Sequence, residues 1–210
     1  ADPNALYTVW GGANDLFAIV AGAPAQATIT SAVTSQVGII GSLQAAGARY
    51  VLVPTVPDLG VTPAFLAQGP VASATATPLT TTYNNASYSS LDAAGLRVIP
   101  LDTFHLLQEI VANPTPYGFS NVTGTACQPQ ITASSLTCSP ATYVVPNAAD
   151  IYAFADGVHP SSRAHAIVSD YALSVLEGPR QLALLPQSSA VIGRARAERV
   201  ATHVDGKPEA

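Results

Sequence analysis

Over residues 27–46 the apolar positions Ile29, Val33, Val37, Ile40 and Leu43 recur every three or four residues and then meet Gly47. That period places them on one stripe of a helix, and the glycine marks its stop. The next stretch, RYVLVPTVPDLG, is a compact β-branched run, which predicts a buried strand leading into a loop. The same order then returns. Residues 79–94, with Leu79, Tyr83, Ala86 and Leu91 on one side, predict a second helix, and LRVIPL after Gly95 predicts a second strand. An opening strand is expected over residues 5–10, a short helix over 103–111, and a last helix over 161–177 with Ala164, Ile167, Val168, Tyr171, Val175 and Leu176 inward, ended by Gly178 and Pro179.

Strands alternating with helices imply parallel pairing through helical crossovers, the doubly wound α/β class. Sites in such sheets lie beyond the carboxyl ends of the strands. WGGANDLF, PTVPDLG and PLDTFH are all expected there. Residues 113–150, rich in Pro, Asn, Thr and Ser, read as a long excursion from the sheet.

Composition narrows the function classes. With 210 residues and 48% hydrophobic content, one core is the default. A formal charge of -5, with one lysine and seven scattered arginines, leaves no basic stripe for a nucleic-acid backbone. No run of eighteen apolar residues predicts a membrane-spanning helix. Cys127 and Cys138 are the only cysteines, in a loop without the histidines or carboxylates of a metal site. A disulfide is the reading preferred to two reduced thiols; it would stabilise the fold by roughly 3 kcal/mol and implies an oxidising, extracytoplasmic home. No metal or cofactor is expected. The absence of methionine and the opening ADPNALY suggest a chain cut from something longer. Residues 187–210, with four of the eight basic residues, read as a linker-like tail.

A histidine three residues after an aspartate can share a hydrogen bond with it, which fixes the imidazole tautomer and stabilises its protonated form. The spacing occurs at Asp102/His105 and at Asp156/His159. Asp102 fits the N-cap of the short helix, a structural role. Asp156 and His159 instead flank Gly157 and run through Pro160 into a helix capped by Ser161 or Ser162, a backbone suited to presenting side chains. Asn14 after Gly11, Gly12 and Ala13 offers a carboxamide donor to a developing oxyanion beside residues that permit close approach. The competing reading is an ordinary Asn-Asp turn. The sequons at Asn85 and Asn121 and the histidines His165 and His203 are assigned no role.

On these residues the chain resembles a known family. GGANDLF is similar to the third conserved block, and DGVHPSSRAHAIVSDYALSVL to the fifth, of the GDSL or SGNH esterases and lipases. ADPNALY, AAGARYVLVPTVPDLGVTP and GLRVIPLD are similar to the passenger domain of bacterial autotransporter esterases, over residues 1 to about 186. The resemblance implies a three-layer α/β/α, flavodoxin-like fold with a parallel sheet. It implies His159 as general base, Asp156 as its orienting partner, and Asn14 and Gly12 in the oxyanion hole, acting on a small acyl ester. The tail would correspond to the segment leading to an outer-membrane barrel, a possible membrane tether.

Two features depart from the family pattern. Ala164 stands where glycine is frequent. More seriously, the Gly-Asp-Ser block that carries the nucleophile on the family's first strand is not among these 210 residues, nor is a Gly-x-Ser-x-Gly elbow. The chain therefore resembles the C-terminal two-thirds of an esterase domain without its first strand or strands. An N-terminal segment carrying the serine is the expected partner; without it the chain is expected to be marginally stable or to associate. A catalytically silent surface module and a carbohydrate deacetylase are the rival readings.

Overall fold

The computed structural model describes residues 1–178. The expected domain end near residue 186 and the tail over 187–210 lie outside the described residues. In chain order the elements begin β1 (Leu6–Thr8), α1 (Ala13–Val20), α2 (Ala25–Ala45), β2 (Tyr50–Pro54), α3 (Pro63–Leu66) and α4 (Pro70–Ala93). They continue with β3 (Ile99–Leu101), α5 (Thr103–Ala112), β4 (Asn121–Thr125), α6 (Ala148–Ile151), β5 (Tyr152–Phe154) and α7 (Ser162–Glu177). The fold is mixed α/β, mostly helical, with parallel strands. Among the described residues no helix is long and apolar enough to cross a membrane.

The described chain divides into two compact units: Ala1–Asp58 with Ala74–Phe104, and Leu59–Ser73 with the chain from His105 onward. The first unit holds a sheet in the order β1-β2-β3. Its pairings are parallel, with Tyr7 opposite Val51 and Leu52 opposite Ile99. Each crossover between its strands contains helix, as parallel pairing requires. In β2, Val51, Leu52 and Val53 are all buried, so both faces of the strand are covered. Val51 and Val53 share one face and sit in a cluster with Ile40 of α2 and Leu91 of α4. Ile29 and Val33 extend the buried stripe of α2 as its period predicts. β1 lies at the sheet edge, and its Leu6 is 44% exposed.

Three elements differ from the sequence reading. Residues after Gly12 form α1, where the sequence reading assigned no helix; only Leu16 is buried in its eight residues, too few to show a helical period. Helix α4 begins at Pro70 and runs through Pro78, which the sequence reading placed before the helix. Proline removes one backbone bond from a helix interior, yet Ala76 and Thr80 on either side are fully buried and hold the segment to the core. The excursion over 113–150 contains β4, which pairs in parallel with β5 in the second unit. Its residues, NVTGT, are half-buried to exposed and lack an apolar alternation.

In that second unit α7 starts where the serine cap predicts: Ser161 Oγ accepts the Ala164 N–H at 3.2 Å. Ala164, Ile167 and Tyr171 are buried. Val168 and Val175 are only half-buried, and Leu176 is exposed. Cys127 and Cys138 are disulfide-bonded, with Cα atoms 5.7 Å apart.

Candidate active site

Strand β5 delivers the chain into a tight turn over Asp156, Gly157, Val158 and His159. The Ala155 N–H closes it on the His159 carbonyl at 2.8 Å, and the Ser161 N–H returns to the Ala153 carbonyl at 2.9 Å. Inside the turn Asp156 Oδ1 accepts the backbone N–H groups of Val158 at 2.9 Å and His159 at 2.8 Å. The local spacing thus makes the carboxylate fold the backbone around itself. His159 Nδ1 lies 2.9 Å from Oδ1 and 2.8 Å from Oδ2. A third backbone donor, the Ser135 N–H, reaches Oδ2 at 2.6 Å. Gly157 is held in place: its carbonyl accepts the Ala64 N–H at 2.9 Å, and a Cβ there would stand 3.2 Å from Ala64 Cβ.

The pair is asymmetric in exposure. The Asp156 side chain is 6% exposed and that of His159 61%. The carboxylate is therefore an internal anchor, while the imidazole reaches outward with Nε2 unpartnered among the described residues. Burial pushes the Asp156 carboxyl up, but the N–H groups of His159 and Val158, the His159 ring and the Ser135 N–H outweigh it and hold the group below its usual value. A carboxyl lowered by folding contributes stability that is complete above the unfolded value, about 3.9, and is lost as pH falls through the folded value. We therefore expect an acid-dependent loss of stability, measured by urea unfolding from pH 6 to pH 2.5, that Asp156→Asn reduces.

In the first unit Gly12 is the N-cap of α1, with φ of 108°. An L side chain rarely adopts that conformation. The ring of Tyr83, buried on α4, covers this glycine; a Cβ at residue 12 would stand 2.2 Å from Tyr83 Cζ. The Tyr83 hydroxyl lies 3.4 Å from both the Gly11 carbonyl and Gln36 Oε1. Burial, and secondarily the charge of Asp15, push it up to about 12, so it remains a neutral donor. Ser87 Oγ donates to the same Gln36 oxygen at 2.5 Å. Asn14 sits in the first turn of α1, exposed, and its carboxamide makes no hydrogen bond within the described residues. It is not closing a turn on its own backbone.

The other sequence candidates fall elsewhere. Asp102 immediately precedes α5, and His105 is exposed in its first turn. The Phe104 N–H at that helix start donates to Thr55 Oγ1 at 2.9 Å. His165 is exposed on α7 and, with Ser135, Tyr143 and Ser162, lines a cavity of about 210 Å³. Among the described residues no group of three His, Cys, Asp or Glu is placed to hold a metal ion. Sequence reasoning missed Ser135 and Tyr83. The first acts through a backbone N–H, which carries no residue signature, and the second was read only as one of a helix's inward positions.

Comparison with known proteins adds to this geometry. The profile of a family described as GDSL-like lipase/acylhydrolase matches residues 1–172. Esterase EstA of Pseudomonas aeruginosa is 37% identical over 207 residues, covering 89% of this chain and 28% of that protein. Lipase 1 of Photorhabdus luminescens is 28% identical over 255 residues, covering 91% of this chain and 39% of that protein. A Pseudomonas putida protein named for the trpE-trpG intergenic region is 32% identical, covering 89% of this chain and 31% of its own length. The chain thus spans well under half the length of each of these relatives.

Proposed function

The chain belongs to the GDSL-like lipase/acylhydrolase family, and from that premise we propose that it supplies the acid–base and oxyanion half of a carboxylic ester hydrolase. The observation that carries the proposal is the Asp156–His159 pair: a buried carboxylate on Nδ1, an outward imidazole, and an Nε2 without a partner among the described residues. A serine carried by sequence outside these 210 residues attacks the acyl carbonyl while His159 Nε2 takes its proton. Asp156 holds the Nδ1–H tautomer and stabilises the imidazolium. Gly12, through its N–H, and Asn14, through Nδ2, donate to the oxyanion. Collapse expels the alcohol, which takes the proton back from Nε2; water then repeats the sequence on the acyl-enzyme. No step calls for a metal or cofactor.

The disulfide favours an oxidising, extracytoplasmic setting. With the resemblance to autotransporter passengers, this supports a cell-surface esterase tethered by a downstream barrel. Edge strand β1, with Leu6 exposed, is where an upstream strand bearing the serine would pair. The rival reading is a silent binding module. Acyl esters of increasing length, assayed beside acetylated sugars with the upstream segment present, test the proposal. Turnover of acyl esters supports it, turnover confined to acetylated sugars indicates a deacetylase, and none with either leaves the binding module.

Asn14→Ala gives a sharper check. Its exposed carboxamide supports nothing within the described residues, so the melting temperature should not move measurably. The loss of an oxyanion donor should lower kcat by about 10²–10³-fold with KM little changed. A steady-state comparison beside a thermal melt measures both.

A further inference from the structure

The segment between the two cysteines has few attachments of its own. From Pro129 to Thr137 only Thr132 is buried, while Ile131 is 59% and Leu136 93% exposed. Its internal bonds, such as Thr132 N–H to the Gln128 carbonyl and Thr137 N–H to the Ser134 carbonyl, hold the loop to itself. Gln128, next to Cys127, donates its N–H to the Thr142 carbonyl and its Nε2 to the Tyr143 carbonyl; beyond it, among the described residues, the hydrogen bond that ties residues 129–137 to chain outside the cysteine loop runs from the Ser135 N–H to Asp156 Oδ2. At one end the Cys127 N–H is fixed on the Ala155 carbonyl at 3.1 Å, directly before Asp156. At the other, Cys138 follows the 3-10 turn Ser135–Thr137 and is bonded back to Cys127.

We propose that the Cys127–Cys138 disulfide and the Ser135 N–H form a positioning element for the Asp156–His159 pair. The covalent bond keeps a loop that is sparsely anchored beyond Gln128 over the carboxylate, and the loop supplies the donor that fixes Oδ2. With Oδ1 held by Val158 and His159, this third donor removes the carboxylate's freedom to rotate away from the imidazole. The effect on catalysis rests on the proposed ester hydrolysis; the positioning itself does not.

The test is made without substrate, on the full chain, by following the side-chain carboxyl carbons of ¹³C-labelled aspartate through a pH titration. In Cys127→Ala/Cys138→Ala the Asp156 midpoint should rise by about 0.5–1 pH unit, because a donor to the ionised form is lost. Ser135→Pro removes the same N–H with the disulfide intact. Ser134 already has φ −126° and ψ 133°, the conformation required before proline, and Ser135 opens a helical turn where proline's φ is at home. It should raise the midpoint comparably, and the two changes together should add little. An Asp156 midpoint that stays in place in either folded variant overturns the proposal. So does a cysteine-free chain that unfolds altogether, since the bond would then be a general staple. Failure of ester hydrolysis leaves this titration unaffected, so the two ideas fail separately.

Discussion

His159→Ala should lower kcat for ester hydrolysis by about 10⁴-fold or more, with KM nearly unchanged, when the chain is assayed with its upstream segment. General acid–base transfer alone supplies on the order of 10²–10⁴-fold, and without the imidazole the attacking serine also stays a weakly nucleophilic alcohol. The fold should survive. The His159 side chain is 61% exposed, and Asp156 keeps backbone N–H donors at Val158, residue 159 and Ser135. Steady-state kinetics beside a thermal melt separates a lost proton carrier from a lost structure. Comparable losses in both would mean that the imidazole serves the fold.

Gly12→Ala should be the most destabilising single methyl in the first unit. Two costs coincide there. A non-glycine residue at φ of 108° carries strain of about 1–3 kcal/mol. The new Cβ also falls 2.2 Å from a ring carbon of Tyr83, which is 2% exposed and has little room to withdraw; overpacking of this kind costs about 1–3 kcal/mol. For a domain of this size the sum corresponds to a fall in Tm of about 10 °C. In a Tyr83→Ala background the steric part disappears, so Gly12→Ala should cost less there than in the wild type. Equal cost in both backgrounds would show that the Tyr83 ring does not constrain residue 12.

Much of the fold was legible because local periods report burial. Ile29, Val33 and Ile40 lie inward as their spacing requires, and the β-branched run of β2 is covered on both faces. The Asp156–His159 pair was legible for the same reason, since a separation of three residues lets one turn complete it. Where partners are remote, no local pattern exists. Gln36, polar in an apolar stripe, is buried because Ser87 and Tyr83 meet its side chain from another helix. Ser135 finds Asp156 across twenty-one residues through a backbone group. Strand β4 exists because β5 pairs with it, not because its own residues favour a strand. Helix α1 was hidden because Gly12 is its cap and Leu16 is its one buried residue, so Gly11 and Gly12 read only as small residues permitting close approach.

The central proposal is that this chain carries the proton-transfer pair while the nucleophile arrives on other sequence. Intact mass after treatment with a fluorophosphonate, read beside ester hydrolysis, tests it most directly. The expected result is no adduct and no turnover for the 210-residue chain alone, with both appearing once the upstream segment is restored. The adduct should then sit on that segment, and turnover should depend on His159. An adduct on this chain accompanied by His159-dependent turnover, or turnover that persists in His159→Ala, would contradict it.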